Sequence, residues 1–321
     1  MRNIFFLFLL LPALFLNAQS KKAKLILGKT IEIMKTNSVN SKNVDWPALT
    51  TEAYRLAEHA TEPEQLGNSI RFLFQSLDDF HGRFRYNDSI FRWKKERVIV
   101  PEVYKIELAK KENKFFTRHL ENMGYLRIPT TLQEIAKERS RALQDSLCKL
   151  LSKNPKGLIF DLRLNGGGHV MSMMMGISNV LEYGIVSPGD EIRMDGFYRD
   201  SKRIHPFTET CQRNHVDIPI AVIIGPFTAS SAEGLAILLK NRPNTILIGE
   251  PTAGWVSSVN GFEISRNAGI NLSIGYMTDA NGKPYKTKIQ PEIIIQNGDD
   301  FVNLLADSKI TKAIEWLNNQ K

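Results

Sequence analysis

The sequence predicts an α/β fold, because apolar runs typical of buried strands alternate with helical patterns. Three such runs stand at 157–163, 218–224 and 245–249. Small residues or glycines follow the first two runs, and a helical pattern begins directly after each turn. Strands that alternate with helices are typical of a parallel sheet, whose ligand sites lie at the carboxyl ends of the strands.

The N-terminal segment 1–18 has the pattern of a secretory signal peptide. Arg2 precedes an apolar run of 13 residues, Ile4 to Leu16, and Ala18 offers a small residue for cleavage. Thirteen residues are too few to cross a bilayer comfortably, although an uncleaved anchor is an alternative. We expect the mature protein to be exported to the periplasm or cell envelope.

The rest of the chain divides into four predicted regions. Spacings of three and four residues predict an N-terminal helical region at 19–80. Short apolar stretches among many charges predict a cap or insertion at 81–123. The alternating strands and helices define a core at 124–300, and a C-terminal helix is expected within 301–321.

Composition and charge exclude several classes of function. The net charge is +8, from 42 Lys and Arg against 34 Asp and Glu. An exported protein does not meet nucleic acid, so this charge favours solubility or attraction to an anionic envelope surface. Cys148 and Cys211 could pair, although Cys148 could equally be a buried thiol. We expect no metal and no cofactor, because no metal-ligand spacing and no nucleotide-binding glycine pattern is present.

The segment Thr228 to Glu233, which reads T-A-S-S-A-E, is the strongest indication of chemistry. It follows a buried strand and the pair Gly225-Pro226, so a serine hydroxyl is expected at the start of a helix. Ser230 in that position suits a nucleophile whose attack creates an oxyanion. The alternative is structural, because Ser230 and Glu233 also have the spacing of a capping box.

A glycine-rich turn after the preceding strand supplies a second part of the predicted site. Gly166, Gly167 and Gly168 bring backbone N–H groups close to a substrate because no Cβ intervenes. We expect the N–H groups of Gly166, Gly167 and Ser231 to form an oxyanion hole for attack by Ser230.

A serine nucleophile needs a base, and His81 is the best candidate among the six histidines. It ends an apolar helix at a sharp Phe-His-Gly turn, although an ordinary turn histidine is an equal alternative. His169 follows the glycine turn and is expected to orient substrate.

Five motifs occur in the order seen in one peptidase family. Together they resemble the tail-specific (C-terminal processing) serine peptidases, over about Trp46 to Ile295. The resemblance implies a crotonase- and ClpP-like core, Ser230 as nucleophile and a peptide substrate cut near its C-terminal end. The motifs are Leu77–His81, Gly124–Pro129, Gly157–Gly168, Thr228–Glu233 and Ile248–Gly254.

The chain departs from the best-known branch of that family at two positions. Trp255 and Val259 stand where the branch has its catalytic lysine and a glutamine. The segment between His81 and Gly124 is too short for the usual peptide-gripping PDZ module. The chain therefore looks like the histidine-using branch, most similar to the nisin resistance proteins.

That resemblance implies a Ser230–His81 dyad and a substrate that includes lantibiotic-like antimicrobial peptides. Trp255 either lines the substrate cleft or has a packing role in the protein. The main alternative is a catalytically silent protein that binds a peptide or a small ligand, and an esterase is another alternative. The third catalytic residue stays open among Asp78, Asp79, Glu250 and Glu292, whereas Asp161 and Glu233 are expected to fix their turns by hydrogen bonds.

Overall fold

The computed structural model describes residues 19–94, 99–110, 115–181, 217–279 and 281–320. The predicted signal peptide and Cys211 lie outside the described residues. Cys148 is disulfide-bonded. No helix in the described ranges is long and apolar enough to cross a bilayer.

The chain forms two compact units. Unit 1 consists of the described residues within Met1–Lys95 and Val259–Ser273, and unit 2 of those within Glu96–Ser258 and Ile274–Lys321.

Unit 1 packs three helices on one face of a four-stranded antiparallel sheet. Side chains cap two of the helices: Ser20 Oγ accepts from the Ala23 N–H (3.1 Å) and Asp45 Oδ1 from the Ala48 N–H (3.2 Å). In the first sheet strand Phe84 faces the helices, while Arg83 and Arg85 are exposed. The helices are α1 (Lys21–Asn37), α2 (Trp46–Leu56) and α3 (Gly67–Ser76), and the strands are β1 (Arg83–Tyr86), β2 (Ser89–Phe91), β8 (Ser257–Ser265) and β9 (Ala268–Tyr276), in the order β2-β1-β9-β8.

Unit 2 is built on a six-stranded sheet that is parallel except at one edge. Its strands are β3 (Phe116–Leu120), β4 (Met123–Arg127), β5 (Gly157–Asp161), β6 (Ile220–Ile224), β7 (Thr245–Gly249) and β10 (Ile293–Ile294). Their order is β10-β7-β6-β5-β4-β3, and β3 is antiparallel to β4. The helices are α4 (Glu102–Ala109), α5 (Ala136–Leu151), α6 (Val170–Gly176), α7 (Ser231–Lys240) and α8 (Ser308–Asn318).

Both faces of this sheet are buried. In β5, Leu158 and Phe160 face the core formed with α5, α6 and α7, whereas Ile159 faces a second core formed with α8. Strands covered on both faces need apolar residues at every position, which explains the continuous apolar runs in the sequence. The predicted α/β class is confirmed.

The segment 81–123 contributes to both units. β1 and β2 extend the sheet of unit 1, whereas α4 and β3 belong to unit 2. The pairing of β1 with β9 joins residues almost 190 positions apart, Arg83 with Asn271 among them, so local sequence patterns could not indicate it. The domain boundaries given above stay a prediction.

Candidate active site

The turn between β6 and α7 holds Ser230 in an uncommon backbone conformation. Its φ is 55° and its ψ −121°, a combination that costs energy in any residue with a Cβ. Thr228 anchors the turn, because its Oγ1 accepts from the Gly225 N–H (3.0 Å) and donates to the Leu162 carbonyl (2.9 Å). Ser230 is partly exposed at the helix start. A strained serine between a strand and a helix is typical of a nucleophile elbow.

Glu233 holds this turn from inside the protein. Its buried carboxylate accepts hydrogen bonds from the Ser230 N–H (2.8 Å), the Thr252 hydroxyl (2.5 Å) and the Gly254 N–H (2.7 Å). Burial raises the pKa of Glu233 to about 7 despite these donors. The capping box that the sequence predicts for Ser230 and Glu233 is therefore present, and the Glu233 carboxylate also links α7 to the loop after β7.

The glycine turn after β5 lies directly against Ser230. A Cβ on Gly167, whose φ is +103°, would meet the Ala229 carbonyl oxygen at 2.8 Å and Ser230 Cβ at 2.9 Å. Two hydrogen bonds tie the turns together, from the Ala229 N–H to the Asn165 carbonyl (3.1 Å) and from Ser231 Oγ to the Gly168 carbonyl (2.6 Å). Glycine is required here by close approach as well as by φ.

The N–H groups of this turn differ in availability. The Gly166 N–H donates to Thr130 Oγ1 (2.8 Å) and the Gly167 N–H to Asn165 Oδ1 (2.9 Å). In the described part of the chain, the N–H groups of Gly168 and Ser231 have no hydrogen-bond acceptor. An oxyanion would compete with protein oxygens for the first two donors but not for the last two.

His169 begins α6 beside this turn and caps the helix. Its Nδ1 accepts from the Ser172 N–H (3.2 Å), which leaves the ring proton on Nε2. Burial lowers the pKa of His169, so the ring is neutral at pH 7. Its Nε2–H is then a donor suited to a carbonyl oxygen.

The loop after β7 supplies the other flank. Because β5, β6 and β7 are adjacent parallel strands, their carboxyl-end turns stand in a row with Ser230 in the middle. Gly254, with φ +89°, lies on this loop, and the half-buried Trp255 follows it and donates its backbone N–H to Glu233.

His81 belongs to unit 1, on the turn between α3 and β1. Asp79 fixes that turn, because its buried carboxylate accepts from the Gly82 N–H (2.7 Å), the Ser273 N–H (2.9 Å) and Ser273 Oγ (2.8 Å). Asp78 has a positive φ of 48°, which turns the chain sharply. His81 is partly exposed. Its pairing with Ser230 stays a prediction.

The remaining candidate carboxylates are engaged elsewhere. Glu250 lies 3.1 Å from Lys309 Nζ. Glu292 accepts from the Leu247 N–H (2.8 Å) and pairs with Lys240. Among the described residues, no group of three or more His, Cys, Asp or Glu side chains could hold a metal ion.

Sequence reasoning missed the residues that support the turns. Thr130 and Asn165 accept the glycine N–H groups, and Thr252 bridges Glu233 to the Ile289 N–H (2.9 Å). All three adjoin or belong to the motifs, and for Asn165 and Thr252 the available signal was a short polar side chain close to a glycine.

The sequence profile described as Peptidase family S41 matches residues 122–295. The carboxy-terminal processing protease CtpA of Bacillus subtilis (strain 168) is 29% identical over 213 residues, which span 61% of this chain and 43% of that protein. The nisin-resistance protein of Lactococcus lactis subsp. lactis is 26% identical over 203 residues, 58% of this chain and 56% of that protein. The chain therefore spans about half the length of these relatives.

Two solved structures share the fold. A lipoprotein from Streptococcus agalactiae superposes with a TM-score of 0.68 at 18% identity, covering 93% of this chain and 97% of that one. A photosystem II D1 C-terminal processing protease superposes with a TM-score of 0.58 at 16% identity, covering 86% and 94%.

Proposed function

Because the chain belongs to peptidase family S41, we propose that it is a serine endopeptidase in which Ser230 is the nucleophile. The observation that carries this proposal is the backbone of Ser230, strained at φ 55° between β6 and α7 and packed against Gly167. A capping serine needs no such strain, whereas a nucleophile gains a partly exposed hydroxyl next to the unbonded N–H groups of Gly168 and Ser231.

His81 is the proposed base. It removes the Ser230 hydroxyl proton as Oγ bonds to the peptide carbonyl carbon, and it gives that proton to the amine when the C–N bond breaks. Water then hydrolyses the acyl-enzyme by the same transfer in reverse. The turn around Asp79 supports this role, because it holds the backbone on both sides of His81. Trp255 stands where the best-known branch of the family has its catalytic lysine, so that position supplies no base here.

The oxyanion hole combines the two turns. Of the predicted donors, Ser231 has an unengaged N–H, while Gly166 and Gly167 donate to Thr130 and Asn165. We assign the second donor to the neighbouring Gly168, which is exposed. Gly166 and Gly167 then shape the turn that presents Gly168.

The substrate is a peptide, and His169 and Trp255 flank its binding site. The Nε2–H of His169 is suited to bind a substrate carbonyl, and the half-buried Trp255 offers an aromatic surface. Similarity to carboxy-terminal processing proteases favours cutting near the C-terminal end, and similarity to a nisin-resistance protein favours a lantibiotic-like substrate.

The protein acts outside the cytoplasm in this proposal. The signal-like segment 1–18 and the disulfide-bonded Cys148 both suit an oxidising compartment. The charge of +8 favours an anionic envelope surface. Mass spectrometry of the protein recovered from cell fractions should find an N-terminus at Gln19 in the envelope or periplasm. Recovery of the intact N-terminus in the cytoplasm would contradict export.

A cleavage assay tests the dyad. The mature chain from Gln19 is incubated with nisin and a pool of unrelated peptides, and the products are identified by mass spectrometry. Wild-type cleavage should fall by at least about a thousandfold in Ser230→Ala and in His81→Ala. His59→Ala, which changes an exposed histidine in unit 1, should cleave like wild type. Cleavage that survives His81→Ala would overturn the base assignment, and binding without cleavage would overturn peptidase function.

A further inference from the structure

Lys288 stands beside the candidate active site on the flank away from the glycine turn. A Cβ on Gly254 would meet Lys288 Cγ at 3.2 Å and its backbone N at 3.4 Å. Gly254 donates its N–H to Glu233, which in turn accepts from the Ser230 N–H. Three successive contacts therefore connect Lys288 with Ser230.

The backbone of this flank is fixed by hydrogen bonds. The Thr252 N–H donates to the Ile289 carbonyl (3.1 Å), the Ile289 N–H donates to Thr252 Oγ1 (2.9 Å), and the Ala253 N–H donates to the Thr228 carbonyl (2.9 Å). The stem of Lys288 is thus held near the elbow while its ammonium group remains on a flexible end.

The charge of Lys288 is available to a ligand. The side chain is exposed and has no ion-pair partner among the described residues. Glu233, the acid that binds the Gly254 N–H, is buried and already accepts several hydrogen bonds. Lys286, also exposed, adds a second positive charge on the same segment. An anionic group on a bound peptide would find a complementary charge here.

The sheet order places this charge at one end of the site. The glycine turn after β5 lies on one side of the Ser230 turn, and the loop after β7 with Lys288 lies on the other. A peptide whose carbonyl reaches the N–H groups of Gly168 and Ser231 has its chain extending to both sides of Ser230. We propose that Lys288 binds a carboxylate of the peptide substrate and thereby selects the bond that is cut, an inference that rests on the proposed function.

Three versions of one cleaved peptide test this role: a free C-terminal acid, a C-terminal amide, and an amide whose last residue is glutamate. The wild type should cut the acid with a kcat/KM about tenfold higher than the amide, and the difference should lie in KM. A factor of this size is expected for a charged hydrogen bond at an exposed site. In Lys288→Gln, which keeps most of the stem, the preference should fall to about one. Lys283→Gln, on the same exposed segment, should keep it. If the wild type cuts the glutamate amide as efficiently as the free acid, the bound group is an acidic side chain.

A binding measurement separates failure of this inference from failure of the peptidase proposal. Fluorescence anisotropy gives the affinity of the same three peptides for Ser230→Ala and for Ser230→Ala combined with Lys288→Gln. Tighter binding of a carboxylate peptide, lost in the double variant, supports Lys288 even where wild type cuts nothing. The inference is overturned if the preference for a carboxylate peptide survives Lys288→Gln, or if wild type and Ser230→Ala show no such preference. Cleavage by the wild type would still support the peptidase in either case. Absence of both binding and cleavage overturns both.

Discussion

Glu233 shows how one buried residue can serve a reactive turn through hydrogen bonds alone. Its carboxylate accepts from the backbone of Ser230 and Gly254 and from Thr252, so it fixes the elbow and the neighbouring loop relative to each other. Burial of an ionised carboxylate is costly, which is why the pKa of Glu233 rises to about 7.

That raised pKa predicts a pH-dependent stability. The native state binds the Glu233 proton more tightly than the unfolded state, so this contribution is complete below about pH 4.5 and is lost as pH rises to about 7. The loss is about 3 kcal/mol in the free energy of unfolding. Urea unfolding at pH 5 and pH 7.5 should show most of this decrease in wild type and a smaller one in Glu233→Gln. Glu134→Gln, which changes an exposed glutamate, should follow wild type; identical pH dependence in Glu233→Gln would refute the assignment.

At the scale of elements, the site depends on contact between two strand-end turns. Gly167→Ala should reduce cleavage by about a hundredfold, because its Cβ would press on Ala229 and Ser230 and displace the nucleophile. The φ of +103° adds strain to that clash. The measurement is kcat/KM on a peptide that the wild type cuts.

Gly275→Ala is the matched control, because a Cβ there meets nothing within 4 Å and its backbone is that of an ordinary strand. It should leave kcat/KM unchanged. Equal activities of the two alanine variants would mean that the glycine turn does not position Ser230.

The elements that could be predicted from the sequence are those specified by local patterns. The apolar runs of β5, β6 and β7 and the helix start at Ser231 follow from periodicity and capping residues. Which N–H groups of the glycine turn are available could not be predicted, because Thr130, which binds the Gly166 N–H, lies 36 residues away along the chain. The position of Lys288 beside the site could not be predicted for the same reason. Its neighbour Gly254 is far away along the chain, and only the sheet order brings the two residues together.

At the scale of the molecule, the two units differ in how far apart along the chain their neighbouring strands lie. The strands of the unit 2 sheet lie side by side almost in chain order, whereas unit 1 completes its sheet with residues 259–273 of β8 and β9. Within unit 2, a buried ion network ties the end of β5 to the C-terminal segment. Arg163, fully buried, lies 2.8 Å from Asp161, 2.7 Å from Asp299 and 2.5 Å from Asp307.

This network makes the C-terminal segment part of the core. Burial opposes ionisation of Asp161, but the Arg163 guanidinium outweighs it and lowers the pKa of Asp161 to about 2. Asp307 also caps α8 by accepting from the N–H groups of Lys309 (2.9 Å) and Ile310 (3.1 Å). Loss of the arginine would therefore remove the nearest cation from Asp161 and from Asp307, two buried carboxylates in distant parts of the chain.

Arg163→Met should lower the free energy of unfolding of unit 2 by about 3–5 kcal/mol, the cost of breaking a buried ion network by removing one partner. Urea unfolding followed by tryptophan fluorescence, to which Trp316 in the α8 core contributes, measures it. Arg55→Met provides the comparison, because its pair with Glu52 is exposed and its loss should not move the midpoint. The destabilisation caused by Arg163→Met should shrink as pH falls from about 4 towards 2, where the Asp161 carboxylate accepts a proton. A wild-type midpoint in Arg163→Met would mean that packing around α8, and not charge, holds the C-terminal segment to the sheet.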